Sequence, residues 1–391
     1  MNLSGSKNLI KLPNFEEVPN LEKLDLSGCV NLVRMDPSIG FMRKLASCCS
    51  KVSNNPKHLK KLDSSESELH SQSMSSVFKW ITLPFHSLYP KAHKGLASCS
   101  WSSLPSFSFL RELDISFCGL SQIPYAIGYI RWLERLCLNG NNFVKLPSLR
   151  ELSKLVHLNL QHCKQLKRLP ELPLPVHPSQ AAIDPDEDEI ALGLHIFNCP
   201  ELGEREHTSS MTFSWMIQFI QANQESSALF RWVDVVIPGS EIPRWFNNQS
   251  VDGSMSIDLS PIVHDNNFIA IACCVVFSAI YDGPIMNLGI KYHIGRLCIK
   301  CGDTTWEFAL CPAYFYSNLV TIESNHVWII YIPRESLFDF LSKMSTTFRD
   351  LDHITMTATR IQGPKYFNVD VKKCGYRCVL KQDLQQLNST I

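Results

Sequence analysis

The 391-residue sequence has no charge excess, no signal peptide and no long apolar run. Lys plus Arg and Asp plus Glu balance at 37 each, so no net field favours nucleic acid or an anionic membrane as the partner. The first residues contain no apolar segment of the length that a signal peptide needs. The longest apolar run, Phe268–Ile280, has 13 residues and is too short to span a bilayer. We therefore expect a cytoplasmic protein.

Motifs of catalysis and cofactor binding are also missing from the sequence. No phosphate loop, dinucleotide fingerprint, nucleophile elbow or zinc-protease motif occurs. Cys298 and Cys301 form a CxxC pair, but residues three apart on a strand point to opposite faces and cannot share a metal ion. Cys374 and Cys378 lack a second pair at zinc-finger spacing. We expect packing thiols, no cofactor, no metal and no enzymatic activity.

Two weaker sets of side chains can be compared with known sites. The run DPDEDE, Asp184–Glu189, lacks the glycine and the spaced terminal Glu of a calcium loop, which favours a solvated linker. Glu241, Asp258 and His264 could form an acid–base set, but their spacing does not favour one over surface residues.

One pattern recurs almost in register along the first half of the chain. The copies are LRELDISFCGL from Leu110, LERLCLNGNNF from Leu133 and LVHLNLQHCKQL from Leu155, with starts 23 and 22 residues apart. A fourth copy, LEKLDLSGCVNL, begins at Leu21. This is the period of a leucine-rich repeat. Each unit is too small to bury its own apolar side, so we expect an α/β leucine-rich-repeat solenoid with an open concave face.

Positions within the repeats have distinct predicted roles. The expected core residues are Leu110, Leu113, Ile115, Leu133, Leu136, Leu138, Leu155, Leu158 and Leu160. Cys118, Asn141 and Cys163 follow each strand, where a small polar group can bond the backbone as the chain turns away. Because strand side chains alternate, the intervening residues should face solvent on the concave side and bind a protein. These candidates are Arg111, Glu112, Asp114, Glu134, Arg135, Asn139, His157, Asn159, Gln161 and His162.

Beyond Leu172 the pattern changes, first to a proline-rich and acidic stretch and then to a β pattern. Phe213–Ala222 has apolar residues on one helical face and predicts a short amphipathic helix that closes the solenoid. From Val233 we predict strands, one of them with Met255, Ile257 and Leu259 alternating with polar residues. Phe268–Ile280, apolar on both sides, should be a central strand. Further strands are expected in KYHIGRLCIKC, HVWIIYIP, HITMTATRI and YRCVL, and a helix in SLFDFLSKM. Together they indicate an all-β sandwich.

The string IPGSEIPRWF is the most specific one in this half. We expect a turn at Pro238-Gly239 and an anchor of Ile242, Trp245 and Phe246 packed under the sandwich. The predicted organisation is repeats at 1–45 with a truncated start, irregular repeats with an insertion at 46–109, repeats at 110–175, a linker with a helix at 176–230, and a C-terminal domain at 231–385.

Several strings of the sequence are typical of one protein family: IPGSEIPRWF, HVWIIYIP and VKKCGYRCVL, with FNCPELGERE and the LDLSGC and LNLQHC repeats upstream. They resemble the C-terminal part of plant TIR–nucleotide-binding–leucine-rich-repeat disease-resistance receptors. The resemblance implies a leucine-rich-repeat array followed by a jelly-roll/Ig-like domain called C-JID. It also implies binding of a pathogen effector or a host guarded protein, with loops of the C-terminal domain joining the repeats. The nucleotide-binding domain of its own receptor is a further expected partner. The resemblance also implies a location in the nucleus as well as in the cytoplasm.

Three alternatives remain open at this stage. Family members carry TIR and nucleotide-binding domains before the repeats, and no GxxxxGK[ST] occurs here, so the chain is expected to be a fragment of a receptor whose TIR domain cleaves NAD, or a non-functional truncated copy. A carbohydrate-binding jelly roll would show a solvent-facing Trp cluster. Trp245 and Trp328 instead lie in apolar contexts.

Overall fold

The computed structural model describes the chain in two compact units, Met1–Pro178 and Ser179–Ile391. The described residues are 1–3, 6, 8–9, 20–25, 47–49, 110–114, 116, 123, 125–174, 192–202, 206–222, 232–251, 254–257, 264–281, 290–293, 296–301, 304–309, 312–315, 324–343, 354–359 and 367–383.

Within the described residues, the first unit contains five short parallel strands in register. They are β1 (Lys23–Asp25), β2 (Ser47–Cys49), β3 (Glu112–Asp114), β4 (Arg135–Cys137) and β5 (His157–Asn159). Each pairs with the next, so that the middle residue of one strand lies beside the middle residue of its neighbour. Four of the strands fall on the four copies of the leucine pattern, which confirms those repeats. β2 adds a strand that the leucine spacing had not located.

The repeated leucines form the core of this unit. Every predicted core leucine of the three later copies is buried, and Ile115 lies outside the described residues. The predicted post-strand bonds are also present: Asn141 Nδ2 donates to the Leu138 carbonyl at 2.7 Å, and Cys163 Sγ lies 3.3 Å from the same oxygen. Cys118 lies outside the described residues. The leucine spacing therefore sets the register of the strands, and the residue that follows each strand holds the turn.

Return segments connect one strand to the next. The segment after β3 contains a 3₁₀ helix, Tyr125–Tyr129, whose Ile127 is buried. Gly128 lies so close to the next return segment that a Cβ there would be 2.7 Å from the Ser148 carbonyl oxygen. This close approach needs a glycine.

The second unit contains twelve strands and two α-helices within the described residues. The strands are β6 (Leu192–His195), β7 (Val233–Pro238), β8 (Asn248–Ser250), β9 (Ser254–Ile257), β10 (Phe268–Tyr281), β11 (Ile290–His293), β12 (Arg296–Cys301), β13 (Thr304–Ala309), β14 (Pro312–Phe315), β15 (His326–Pro333), β16 (Ile354–Thr359) and β17 (Phe367–Leu380). The helices are α1 (Glu206–Ala222) and α2 (Arg334–Lys343).

These strands form two larger sheets and a two-stranded pair. One sheet has the order β6-β7-β15-β10-β17-β8, in which β6 and β7 are parallel and the other neighbours antiparallel. The other sheet, β13-β12-β16-β9, is antiparallel, and so is the pair β11–β14. β10 lies between β15 and β17, and its residues 270–277 are all buried, which confirms the predicted central strand. The stretch KYHIGRLCIKC divides into β11 and β12, while β6, β8, β13 and β14 were not predicted.

The expected amphipathic pattern appears in β9 and α1. Met255 and Ile257 are buried and Ser256 between them is exposed, while Leu259 lies outside the described residues. Helix α1 begins seven residues before the predicted start at Phe213. Its predicted Met216, Ile217 and Ile220 are buried, Phe213 is half-buried, and Trp215 and Phe219 widen the buried stripe.

A polar network links β6, β7 and β15 inside the second unit. His195 Nε2 lies 2.7 Å from Asp234 Oδ1, and Trp328 Nε1 donates to Asp234 Oδ2 at 3.4 Å. All three side chains are buried. Gly193 has φ +136°, and a Cβ there would lie 1.7 Å from the Asp234 carbonyl oxygen, so only glycine permits β6 to approach β7 this closely.

The IPGSEIPRWF string packs largely as expected. Pro238 ends β7, and the Gly239 amide donates to the Asn325 carbonyl at 3.0 Å. Ile242 and Phe246 are buried, which confirms two of the three anchor residues. Trp245 is half-buried, because the Arg377 guanidinium, 5.2 Å from the ring centroid, covers part of it. The Arg377 Nη1 also donates to the Trp245 carbonyl at 2.8 Å.

Candidate protein-binding face of the repeat strands

The first and third positions of the five parallel strands form two rows in the strand register of the first unit. We call this surface the ladder face. One row contains Lys23, Ser47, Glu112, Arg135 and His157, which are partners in the strand register. The second row contains Asp25, Cys49, Asp114, Cys137 and Asn159. The structure thus brings five of the predicted binding residues into adjacent register positions.

Two ion pairs connect the repeat that contains β3 with the repeat that contains β4. Arg135 Nε lies 2.9 Å from Glu112 Oε1, with 17% and 36% of the two side chains exposed. Arg111 Nη1 lies 3.3 Å from Glu134 Oε1. The order of charges is Arg111-Glu112 in one repeat and Glu134-Arg135 in the next. Each side chain therefore pairs with an oppositely charged side chain of the neighbouring repeat. This arrangement supplies both signs of charge on a rigid backbone.

The prediction that all ten candidates face solvent was wrong for seven of them. The buried ones are Asp114, Glu134, Asn139, His157, Asn159, Gln161 and His162. Asp114 Oδ1 accepts a hydrogen bond from the Ser116 amide, and Asn159 Oδ1 accepts one from the Gln161 amide, each at 3.1 Å. These Asx turns hold the strand ends. The two side chains are therefore committed to the backbone.

Strand length explains most of the remaining burial. The strands have three residues, whereas alternation had been extended over six, so Glu134, Asn139, Gln161 and His162 lie outside the strands. His162 has φ 60° in the turn after β5, as Gly140 has φ 63° in the turn after β4. A side chain in such a turn folds against its own repeat. His157 does lie in a strand, but it is beside the long Arg135 side chain, about 4.8 Å away at strand spacing.

The accessible part of the ladder face is consequently smaller and differently composed. Of the ten candidates, Glu112 and Arg135 on the ladder face and Arg111 just before β3 remain at least partly exposed. Lys23 is exposed, and Asp25 and Cys137 are half-buried; none of these had been predicted. The copies LEKLD and LERLC place them at the positions of Glu112 and Asp114, so extending the alternation to every copy would have found them.

The other candidate groups are the acid–base set and the acidic run. Glu241 pairs with Lys373 Nζ at 2.8 Å, His264 is exposed, and Asp258 and the Asp184–Glu189 run lie outside the described residues. Among the residues described, no group of three His, Cys, Asp or Glu side chains is placed to hold a metal ion.

Cysteines Cys163, Cys273 and Cys274 are buried in the two units. Burial raises the pKa of Cys163 to about 12, and it raises the pKa of Cys273 and Cys274 as well. These groups therefore remain neutral thiols at physiological pH. β12 spans both Cys298 and Cys301, as the argument against a shared metal requires.

Comparison with known proteins identifies both kinds of unit. The C-JID domain family model matches residues 237–385, and the Leucine Rich Repeat model matches residues 109–130. Within the described part of the chain, none of the helices has the length and apolar character that a bilayer crossing requires.

Relatives of the chain are plant proteins. It is 32% identical to the disease resistance-like protein DSC1 of Arabidopsis thaliana over 44% of this chain and 16% of that protein. It is 24% identical to the disease resistance protein RPS4B of Arabidopsis thaliana over 100% of this chain and 37% of that protein. It is 26% identical to the TMV resistance protein N of Nicotiana glutinosa over 94% of this chain and 32% of that protein. The resemblance to the repeat and C-JID part of plant TIR–NB–LRR disease-resistance receptors is therefore confirmed, and the chain spans between a sixth and about two fifths of those relatives' lengths.

Proposed function

We propose that this chain is the sensing part of an intracellular plant immune receptor, in the cytoplasm or the nucleus. Its partner is a pathogen effector or a host protein guarded by the receptor, and the nucleotide-binding domain of the receptor is a further partner. The observation that supports this most is the ladder face, five in-register strands on which two ion pairs of opposite order connect the repeats that contain β3 and β4. The disease-resistance names of the relatives support it too.

The mechanism is surface complementarity. Arg111, Glu112 and Arg135 are held by cross-strand pairs, so ordering them in a complex costs little additional side-chain entropy. Opposite charges at fixed spacing select a partner of matching pattern and repel others. Loops of the C-JID domain join in holding that partner.

The finer architecture belongs to the same proposal. We infer a repeat solenoid followed by a jelly-roll/Ig-like sandwich, with the domain bounds expected from the sequence. The supporting features are the parallel ladder, the one-sided burial of β9 and the two-sided burial of β10.

We also propose that the chain binds without catalysis and without a cofactor. An NAD-cleaving activity would belong to a TIR domain. A carbohydrate site is disfavoured because Trp328 is fully buried and Trp245 is half-buried beneath Arg377.

A direct test pairs the chain with a panel of defined pathogen effectors in a split-luciferase assay. An effector that binds the wild type should lose binding when Glu112 and Arg135 exchange charges. It should retain binding with Arg168→Glu, since Arg168 is exposed outside the ladder face. If both variants lose binding equally, or if neither variant loses binding, the ladder face is not the binding site. Purified chain incubated with NAD should leave it intact, and consumption above background would refute the non-enzyme assignment.

A further inference from the structure

A second exposed surface of the first unit lies on a return segment instead of the strands. Tyr125, Tyr129 and Trp132 expose 58%, 61% and 48% of their surface. Two of them are the ends of the 3₁₀ helix Tyr125–Tyr129, and the third follows in the next turn. We call these three residues the aromatic patch.

The repeat fold does not require aromatic residues at these positions. Ile127, Ile130 and Leu133 are buried and already attach this return segment to the core. In the next repeat, Glu151 and Lys154 occupy the positions of Tyr129 and Trp132, so the repeat pattern does not call for aromatic rings there. The rings of Tyr129 and Trp132 are therefore candidates for contact with a partner.

The patch is large enough to form the centre of an interface. If each side chain offers about 200 Å², the exposed fractions leave roughly 300 Å² of mostly apolar surface. A patch of that size lies in the range of the largest apolar patch on a typical monomer, which is often functional. Tyr and Trp are also the residue types that dominate binding energy at protein interfaces.

Charged groups border the aromatic patch and indicate the chemistry of its partner. Close contact at Gly128 brings the two return segments together. Arg131 Nη2 lies 3.8 Å from Glu151 Oε2 across this contact, and both side chains are mostly exposed. Arg150 is exposed beside them. The border thus has two guanidinium groups and one carboxylate.

We propose that the aromatic patch binds an acidic protein segment that carries an aliphatic side chain between carboxylates. The aliphatic group packs on the rings of Tyr129 and Trp132, and the carboxylates meet Arg131 and Arg150. This site is distinct from the ladder face. Nucleic acid is a poorer match, because binding to phosphates needs many cations and this border has an excess of only one.

The test uses the full chain and a fluorescent synthetic peptide with a pair of leucines flanked by aspartates. One control peptide replaces the aspartates with lysines, and another replaces the leucines with serines. Anisotropy titration should show the acidic leucine peptide binding at least about ten-fold tighter than either control. Trp132→Ser and Arg131→Glu should each weaken it about ten-fold. Val144→Ser, which removes an exposed apolar residue outside the patch, should leave binding unchanged.

Several results would overturn the proposal. They are absence of binding, tighter binding of the lysine peptide or of single-stranded RNA, and equal binding by the Trp132 variant. Loss of self-association by Trp132→Ser in sedimentation would assign the patch to a second copy instead. Tyr129→Ser serves as a second variant if Trp132→Ser fails to fold, which circular dichroism reveals. A ladder-face variant that still binds the peptide separates this result from the proposed effector site.

Discussion

Reversal of the charge at Arg135 should weaken the contact between β3 and β4. Arg135 Nε lies 2.9 Å from Glu112 Oε1, and the arginine is 17% exposed. The Arg135→Glu variant loses an ion pair that contributes about 1 kcal/mol and places two carboxylates side by side, at a similar cost. We expect local destabilisation of about 2 kcal/mol, well above the ~0.5 kcal/mol that is usual for exposed sites.

Exchanging the two charges separates the pair from the individual side chains. The double variant Arg135→Glu with Glu112→Arg rebuilds the ion pair in reverse and should recover most of the loss. The assay is hydrogen exchange of peptides spanning 110–140, because it reports opening of β3 and β4 alone. If the single variant exchanges like the wild type, or if the double variant exchanges as fast as the single one, the pair does not stabilise the ladder.

Three further predictions concern the cores. Asp234→Asn should destabilise the second unit by about 2 kcal/mol, because His195 and Trp328 lose hydrogen bonds to a buried carboxylate that an amide cannot fully replace; an unchanged melting temperature would contradict this. Trp245→Ala should cost about 3 kcal/mol, the lower end for a large aromatic since the ring is half-buried, and a melt equal to wild type would show that its contacts with Phe213 and Arg377 are not stabilising. Burial raises the pKa of the Cys163 thiol to about 12. The contribution of this thiol to the free energy of unfolding should therefore be complete below about pH 9 and be lost as the pH rises towards 12. Mass-spectrometric mapping should show iodoacetamide labelling Cys137 faster than Cys163 at pH 8, and the reverse order would refute the burial argument.

Apolar periodicity predicted the elements whose cores it encodes. The leucines set the positions of β3, β4 and β5, and the continuous apolar run became the central strand β10. Edge strands were harder to predict. β8, with the sequence NQS, and β13 lie at sheet edges, where one side makes no ladder bonds and the sequence needs few apolar residues.

The candidate site was predictable in position but not in exposure. Alternation identified Glu112 and Arg135 as outward residues, but it could not show that the strands end after three residues. Polar side chains beyond the strand ends then bond the backbone of their own turns, as Asn159 does with the Gln161 amide. Sequence alone also gave no sign of the contact between His195 and Asp234, because residues 39 apart on different strands meet only once the sheet has formed.

The internal pairing of the ladder face determines how it can recognise a partner. Glu112 and Arg135 already pair with each other, so a partner's charge adds little net affinity at either residue. Their contribution is to reject a surface whose charges fall in the wrong order, because like charges in contact cost more than a matched pair gains. Truncation of both residues to Ala should therefore alter binding only slightly. The charge-exchanged double variant should fold as well as the wild type and yet lose the partner, and a partner that binds the exchanged face equally well would show that recognition lies elsewhere.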